Sequence, residues 1–234
     1  MRTKLYLPLL GIAAGEIMMF SGHVIIGLII HIINLQAITL TLVLSDFPNE
    51  NMIARDSGGL QLYVEDNQEA MDMLIKSFRI VDEKNLLQSL LLLLLMRIIN
   101  LAMPQFFTLT LLWYPLIYGV MYISIYYVTH HQNISSKDIG INFTRWYFYI
   151  PLAFLIGAGM AMIEFRILHP VAMIANLNLV NILLISIVMF VFVAAVEELI
   201  FRSILQTRLQ SVFGANIGIL LAGALFGIMH AGYG

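Results

Sequence analysis

The sequence predicts an all-α protein, a polytopic bundle of about seven transmembrane helices forming one membrane domain over residues 1–234. Three observations predict it. The chain is 60% hydrophobic and 11% charged, against about 45–50% and about 25% in soluble domains. Its mean hydropathy is +0.89. Its apolar residues come in runs of the roughly 17–25 residues that carry a helix across the hydrocarbon, set apart by polar stretches, with no internal repeat. A net charge of -2 and a pI near 6.3 leave no basic face for nucleic acid, so the lipid bilayer is the expected surrounding. There is no cysteine, which excludes disulfides, thiolate catalysis and Cys-based zinc sites.

The first apolar run, 5–44, is about twice the length of one span and is broken at Ser21, Gly22 and His23. It reads as two spans, 4–20 and 23–44, joined by a tight turn. Arg2 and Lys4 resemble the start of a signal peptide. No small-x-small cleavage site follows, so the segment is expected to remain as an anchor. Residues 45–85 are polar, with a proline and a Gly-Gly pair. Within them Ala70, Met71, Leu74, Ile75 and Phe78 fall at helical spacing, which predicts an amphipathic helix over about 66–81 outside the bilayer.

Spans 86–104 and 105–128 are expected to turn at Pro104. The first carries Arg97, a membrane cation that needs a partner or a snorkelling path. After a polar loop, 129–145, a fifth span covers 146–165, and its "GAGMA" stretch permits close helix approach. A connector, 166–178, is broken by Pro170. A sixth span follows over 179–201, and a seventh begins at 216–233. Aromatic residues around Trp113–Tyr127 and Trp146–Tyr149 fit interfacial belts. With these boundaries one side receives Arg2, Lys4, the four basic residues of 45–85, Lys137, Arg145, Arg202 and Arg208, and the other only Arg166. The positive-inside rule then places residues 1–3, 45–85, 129–145 and 202–215 in the cytoplasm of a multi-pass cell-membrane protein.

Glu197 and Glu198 follow a long uncharged run, and carboxylates at membrane depth are costly. As neighbours their side chains point about 100° apart on a helix. Glu198 precedes Arg202 by four residues, where an ion pair forms naturally, so Glu197 stays free to face something else. A carboxylate among apolar side chains holds its proton more readily than one in water, which suits a general base. On the next span Phe226 and His230 stand four apart on one face. A Glu and a His from two helices can together hold a water or a metal. The same features have plainer readings: a histidine packed and hydrogen-bonded, and a Glu–Arg pair that pins a helix end.

The combination of Glu-Glu-x-x-x-Arg at 197–202 and Phe-x-x-x-His at 226–230, each in an apolar span, resembles the first two motifs of the CPBP family. That family includes the CAAX prenyl proteases and bacteriocin-processing proteins, also described as the Abi family. The resemblance covers about 138–234, beginning at "DIGI" (138–141), and implies an intramembrane endopeptidase acting on a peptide or protein substrate. CAAX-type prenylated peptides are the substrates of its best-known branch. The resemblance further implies that Glu197 activates the attacking water near the cytoplasmic face. Arg202 supports Glu197 and Glu198, and His230 orients the water or stabilises the oxyanion. Zinc and a metal-free glutamate mechanism both stay open. Glu197 and His230 would be the ligands of any zinc, one short of the usual three protein ligands.

The family's third motif, His-x-x-x-Asn or His-x-x-x-Asp, is not present before Gly234, and His31 and His169 lie outside its expected order. The expectation is either a C-terminally truncated member, or an incomplete one acting as a non-enzymatic immunity, scaffold or regulatory protein. A transporter is a further alternative, with Arg97, Glu164 and Glu197 lining a path. It predicts broken helices and inverted repeats, which the sequence does not suggest. Glu16, His23 and His31 recur at spacings of seven and eight. The turn between the first two spans separates Glu16 from the histidines, so core hydrogen bonding is their expected role. Glu164 and Arg166 flank a helix end and are expected to snorkel. Asn133-Ile134-Ser135 fits a glycosylation acceptor, but in a loop assigned to the cytoplasm.

Overall fold

The computed structural model describes residues 3–45, 47, 68–106, 111–135, 137, 139–140, 143–169, 176 and 178–230. These residues form seven helices and no strand. They are α1 (Thr3–Phe20), α2 (Val24–Leu44), α3 (Gln68–Phe106), α4 (Trp113–His131), α5 (Trp146–Leu168), α6 (Leu179–Phe213) and α7 (Ala215–His230). Four are long and apolar enough to cross a membrane: α2, the Met71–Leu101 part of α3, the Trp146–Ile167 part of α5, and α6. Leu5–Phe20 and Ala215–His230 are shorter apolar helices. The protein is a helical membrane bundle.

α1 and α2 form the expected hairpin. The His23 N–H reaches back to the Met18 carbonyl at 2.9 Å and the Gly22 N–H to Met19 at 3.0 Å, closing a turn at Ser21–His23. The two helices pack closely because α1 carries Gly15 where His31 of α2 meets it. A Cβ at Gly15 would lie 2.7 Å from the imidazole Cε1 and Nε2.

α3 is the central column. Its Leu86, Leu90, Leu93 and Leu94 are fully buried in one apolar cluster with Ile12 and Ile38 of the hairpin, Met121 and Ile125 of α4, and Ile200 and Ile204 of α6. In lipid this packing draws on dispersion and fit rather than on water expulsion, so the polar links between helices carry more of the specificity. At one end of the bundle such a link joins three helices. Arg208 of α6 donates from Nε to the Gln132 side-chain oxygen at 2.8 Å, and Gln132 Nε2 donates to the Asn85 carbonyl at 3.0 Å and to Gln88 Oε1 at 3.0 Å.

Several boundaries differ from those the sequence suggested. The amphipathic segment is not a separate helix. From Gln68 it runs into the following span as one 39-residue helix, roughly 58 Å long at 1.5 Å per residue. That is nearly twice the hydrocarbon thickness, more than one span requires, and the apolar span within it is Met71–Leu101. There Met71, Ile75 and Phe78 are exposed. Most of the remainder of 45–67 lies outside the described residues.

α3 also continues to Phe106 rather than turning at Pro104, and α4 begins only at Trp113. A helix in a bundle can satisfy the groups a proline frees through its neighbours. α6 runs on past residue 201 to Phe213. The close approach expected of "GAGMA" is not made among the described residues. None of the described side chains of α5 is buried, and nothing stands within 4 Å of a Cβ built at Gly157 or Gly159. Pro170 of the connector, and Asp138 and Ile141 of "DIGI", lie outside the described residues.

Candidate functional site

α6 is not a uniform α-helix. Two stretches, Met189–Ala194 and Leu199–Leu205, are π-helical, and between them one α-helical turn, Ala195–Glu198, carries both glutamates. In the first π-turn the Ala195 N–H bonds to the Phe190 carbonyl, five residues back. In the second, the Gln206 N–H bonds to Phe201 in the same way. Each such turn inserts a residue and rotates the side chains beyond it, and π-turns concentrate at functional sites.

The two carboxylates therefore part company. Glu198 faces outward and pairs with Arg202 Nε at 3.2 Å, with side chains 51% and 70% exposed. Both line a cavity of about 470 Å³ beside Ile139, Gly140 and Ser203, and the Ser203 hydroxyl donates to the Ile139 carbonyl at 2.7 Å. Glu197 turns into the bundle, its side chain 19% exposed. Tyr118 of α4 donates to its Oε1 at 3.4 Å, and Asn100 of α3 donates to the Tyr118 hydroxyl oxygen at 2.9 Å.

The other oxygen, Glu197 Oε2, stands 3.6 Å from Nε2 of His230. His230 is fixed from behind. Its Nδ1 lies 2.8 Å from the Phe226 carbonyl, which can only accept, so Nδ1 carries a hydrogen and Nε2 is left to face Glu197. Phe226 stacks on the imidazole with centroids 4.2 Å apart, and Phe201 meets Phe226 edge-on at 5.0 Å. A gap of 3.6 Å is too long for a good direct hydrogen bond, yet a single water can sit within about 2.8 Å of both atoms. Glu197, His230 and Phe226 thus assemble as the sequence suggested, while Glu198 and Arg202 form their own pair on the opposite, exposed side.

Glu197 and His230 supply two donors. Among the described residues no three His, Cys, Asp or Glu side chains gather as metal ligands. The described residues do not complete a catalytic zinc shell, which takes three protein ligands.

A second polar cluster lies in the same bundle. Arg97 grips Glu16 with two bonds, Nε to Oε1 at 2.8 Å and Nη2 to Oε2 at 2.5 Å. His31 Nε2 lies 3.1 Å from Oε1 without the alignment of a hydrogen bond. All three are buried: Glu16 is 2%, His31 0% and Arg97 5% exposed. The hairpin thus reunites Glu16 with His31, whereas His23 is exposed at the turn. Arg97 and Asn100 stand three apart on α3, so one face of that helix serves both clusters.

Along α6, Glu197 lies roughly 16 Å before Arg208 at 1.5 Å per residue.

Tyr118 and Asn100 were not identified from the sequence, where the tyrosines of α4 read as an aromatic belt. A local signal did exist: Tyr114, Tyr118 and Tyr122 recur every four residues, which puts them on one face.

Residues 179–234 match the family model described as Rce1-like, type II CAAX prenyl endopeptidase. That agrees with the resemblance carried by the two motifs. No curated protein and no solved structure matches the chain.

Proposed function

On the premise that its C-terminal segment is that of a type II CAAX prenyl endopeptidase, we propose that the chain is an intramembrane endopeptidase of the cell membrane with Glu197 as its general base. The observation that carries this is the pairing of Glu197 Oε2 with His230 Nε2 across 3.6 Å, from two helices, in an apolar bundle. A water held between them is deprotonated by Glu197 as its oxygen attacks the scissile carbonyl carbon. The tetrahedral species then collapses with cleavage of the C–N bond, and the proton passes from Glu197 to the leaving amine nitrogen. His230 orients the water. Glu198 and Arg202 border the cavity beside Ile139 and hold the outer side of the same helical turn. The substrate class is a membrane-associated peptide entering from the cytoplasmic half, with a prenylated CAAX peptide as the first choice of the family.

The test is cleavage of a farnesylated, internally quenched CAAX peptide by the protein in liposomes. The wild type should cleave, and Glu197→Gln should lose at least about 100-fold in kcat. Equal rates in the two would remove Glu197 from the mechanism. A second reading, a non-enzymatic scaffold or regulatory member, draws on the packing of His230 itself, stacked on Phe226 and bonded to its carbonyl. Absence of cleavage by the wild type across prenylated and unprenylated peptides would support it.

A further inference from the structure

Beyond Glu197 and His230, α4 makes two contacts with α6 through tyrosines four residues apart. Tyr118 donates to the Glu197 carboxylate and itself accepts from Asn100. Tyr122 donates to the backbone carbonyl of Val191. Val191 lies within the first π-turn, and its carbonyl has lost its α-helical donor, because the Ala195 N–H bonds to Phe190 instead. A carbonyl that loses its α-helical donor in apolar surroundings is unfavourable, and the Tyr122 hydroxyl supplies a hydrogen bond there. The π-turn is therefore stabilised from the neighbouring helix.

The two contacts act on one variable. The π-turn sets the rotation at which the Ala195–Glu198 turn leaves the first half of α6, and so decides which glutamate points into the bundle. Tyr118 then fixes the carboxylate that arrives there. The Tyr118 hydroxyl, 3.4 Å from Oε1, favours the carboxylate orientation in which Oε2 is the oxygen presented to His230 and to a water. The Asn100 amide donates into the Tyr118 oxygen, so the phenol hydrogen is directed at Glu197 and polarised toward it.

We infer that Tyr118 and Tyr122 are positioning residues for Glu197: Tyr122 holds the π-turn that aims it and Tyr118 holds its Oε1, so that Oε2 faces the water. The inference rests on the endopeptidase reading for its kinetic consequence but not for its structural one, and the experiment separates the two.

Tyr118→Phe, Tyr122→Phe and, as a control, Tyr127→Phe are compared in the full chain in liposomes. Tyr127 is an exposed α4 tyrosine whose ring lies against His131. Phenylalanine keeps each ring, and unchanged circular dichroism and melting show that the fold is kept. With the farnesylated quenched peptide, Tyr118→Phe should lower kcat roughly 10–100-fold, as loss of an orienting partner does, with KM unchanged. Tyr122→Phe should lower kcat by less, and Tyr127→Phe not at all. Infrared difference spectra give a readout independent of cleavage. The carboxyl stretching band lost in Glu197→Gln should shift in Tyr118→Phe and stay in place in Tyr127→Phe. Wild-type kcat in an active Tyr118→Phe protein would overturn the inference. So would an unmoved Glu197 band, even if the wild type cleaves nothing. Absence of wild-type cleavage together with a shifted band would sink the protease reading and leave the positioning role standing.

Discussion

Replacing Arg97 with methionine should be among the most damaging single changes in the bundle. Both ends of the Arg97–Glu16 contact are buried, at 5% and 2% exposure, and the guanidinium makes two bonds of 2.8 and 2.5 Å to one carboxylate. At an effective dielectric of about 20, two unit charges this close attract by roughly 5–6 kcal/mol. The desolvation cost of the pair is of similar size, so the intact pair contributes little net stability. Removing one partner is different. Arg97→Met leaves the Glu16 carboxylate with His31 as its remaining charged or imidazole neighbour among the described residues, and breaking a buried pair this way costs about 3–5 kcal/mol. His31, 3.1 Å from Glu16, keeps a polar ring beside the carboxylate, which points to the lower end of the range. The double variant Glu16→Leu/Arg97→Met removes both charges and should return to within about 1 kcal/mol of the wild type. The assay is reversible unfolding by steric trapping in bicelles, run as a double-mutant cycle with Glu16→Leu as the other single. With each single at about 3 kcal/mol and the double at about 1 kcal/mol, the expected coupling is about 5 kcal/mol. Additive effects, or an Arg97→Met cost below about 1 kcal/mol, would refute the reasoning.

Two further outcomes follow from the geometry. A Cβ at Gly218 would lie 2.5 Å from the Gln210 backbone nitrogen and 2.6 Å from its Cα. Gly218→Ala must therefore push α7 away from the end of α6, at about 1–3 kcal/mol, whereas Gly223→Ala, with nothing within 4 Å, should stay within about 0.5 kcal/mol. Melting temperatures in detergent compare them. Glu198→Gln removes an ion pair that is 51% and 70% exposed and should cost less than about 1 kcal/mol. The same melt checks it, and a large loss would show that Glu198 has a second, buried partner.

The helices were legible because a span has a fixed length and composition, and seven runs met that description closely enough to fix the number of elements. The boundaries that failed did so where the membrane stops dictating them. Nothing local tells residues 68–85 to fuse with the span that follows, because an amphipathic segment and an apolar one are equally helical. Proline at 104 ends helices in water, but a bundle can satisfy the groups it frees.

The candidate site was half legible for a related reason. Glu197, Glu198, Arg202 and His230 stand out because ionisable side chains are rare in apolar runs. Arg97 announced a need for a partner, but its partner is 81 positions away, and only packing could choose Glu16. Tyr118 was hidden by chemistry: a tyrosine in a membrane helix reads first as an interfacial anchor, and its bond to Glu197 spans 79 positions.

The segment matched to the family starts at residue 179, yet under the proposed function side chains upstream bear on whether Glu197 can act as a base. Arg97 lies one turn from Asn100 on the same face of α3. A guanidinium brought to Glu197 would be its natural ion-pair partner, and a carboxylate held by arginine is a weak base. The α1–α2 hairpin removes that competitor: Glu16 takes Nε and Nη2 of Arg97, with His31 and the close-packed Gly15 holding the carboxylate in place. Glu198 does the same for Arg202 on the outer side of α6. Among the described residues Arg97 and Arg202 each pair with a carboxylate other than Glu197, which has a phenol on one oxygen and an imidazole beside the other. By this logic Glu16→Leu should impair cleavage more than the double variant with Arg97→Met, because the double removes the competing charge as well as its keeper.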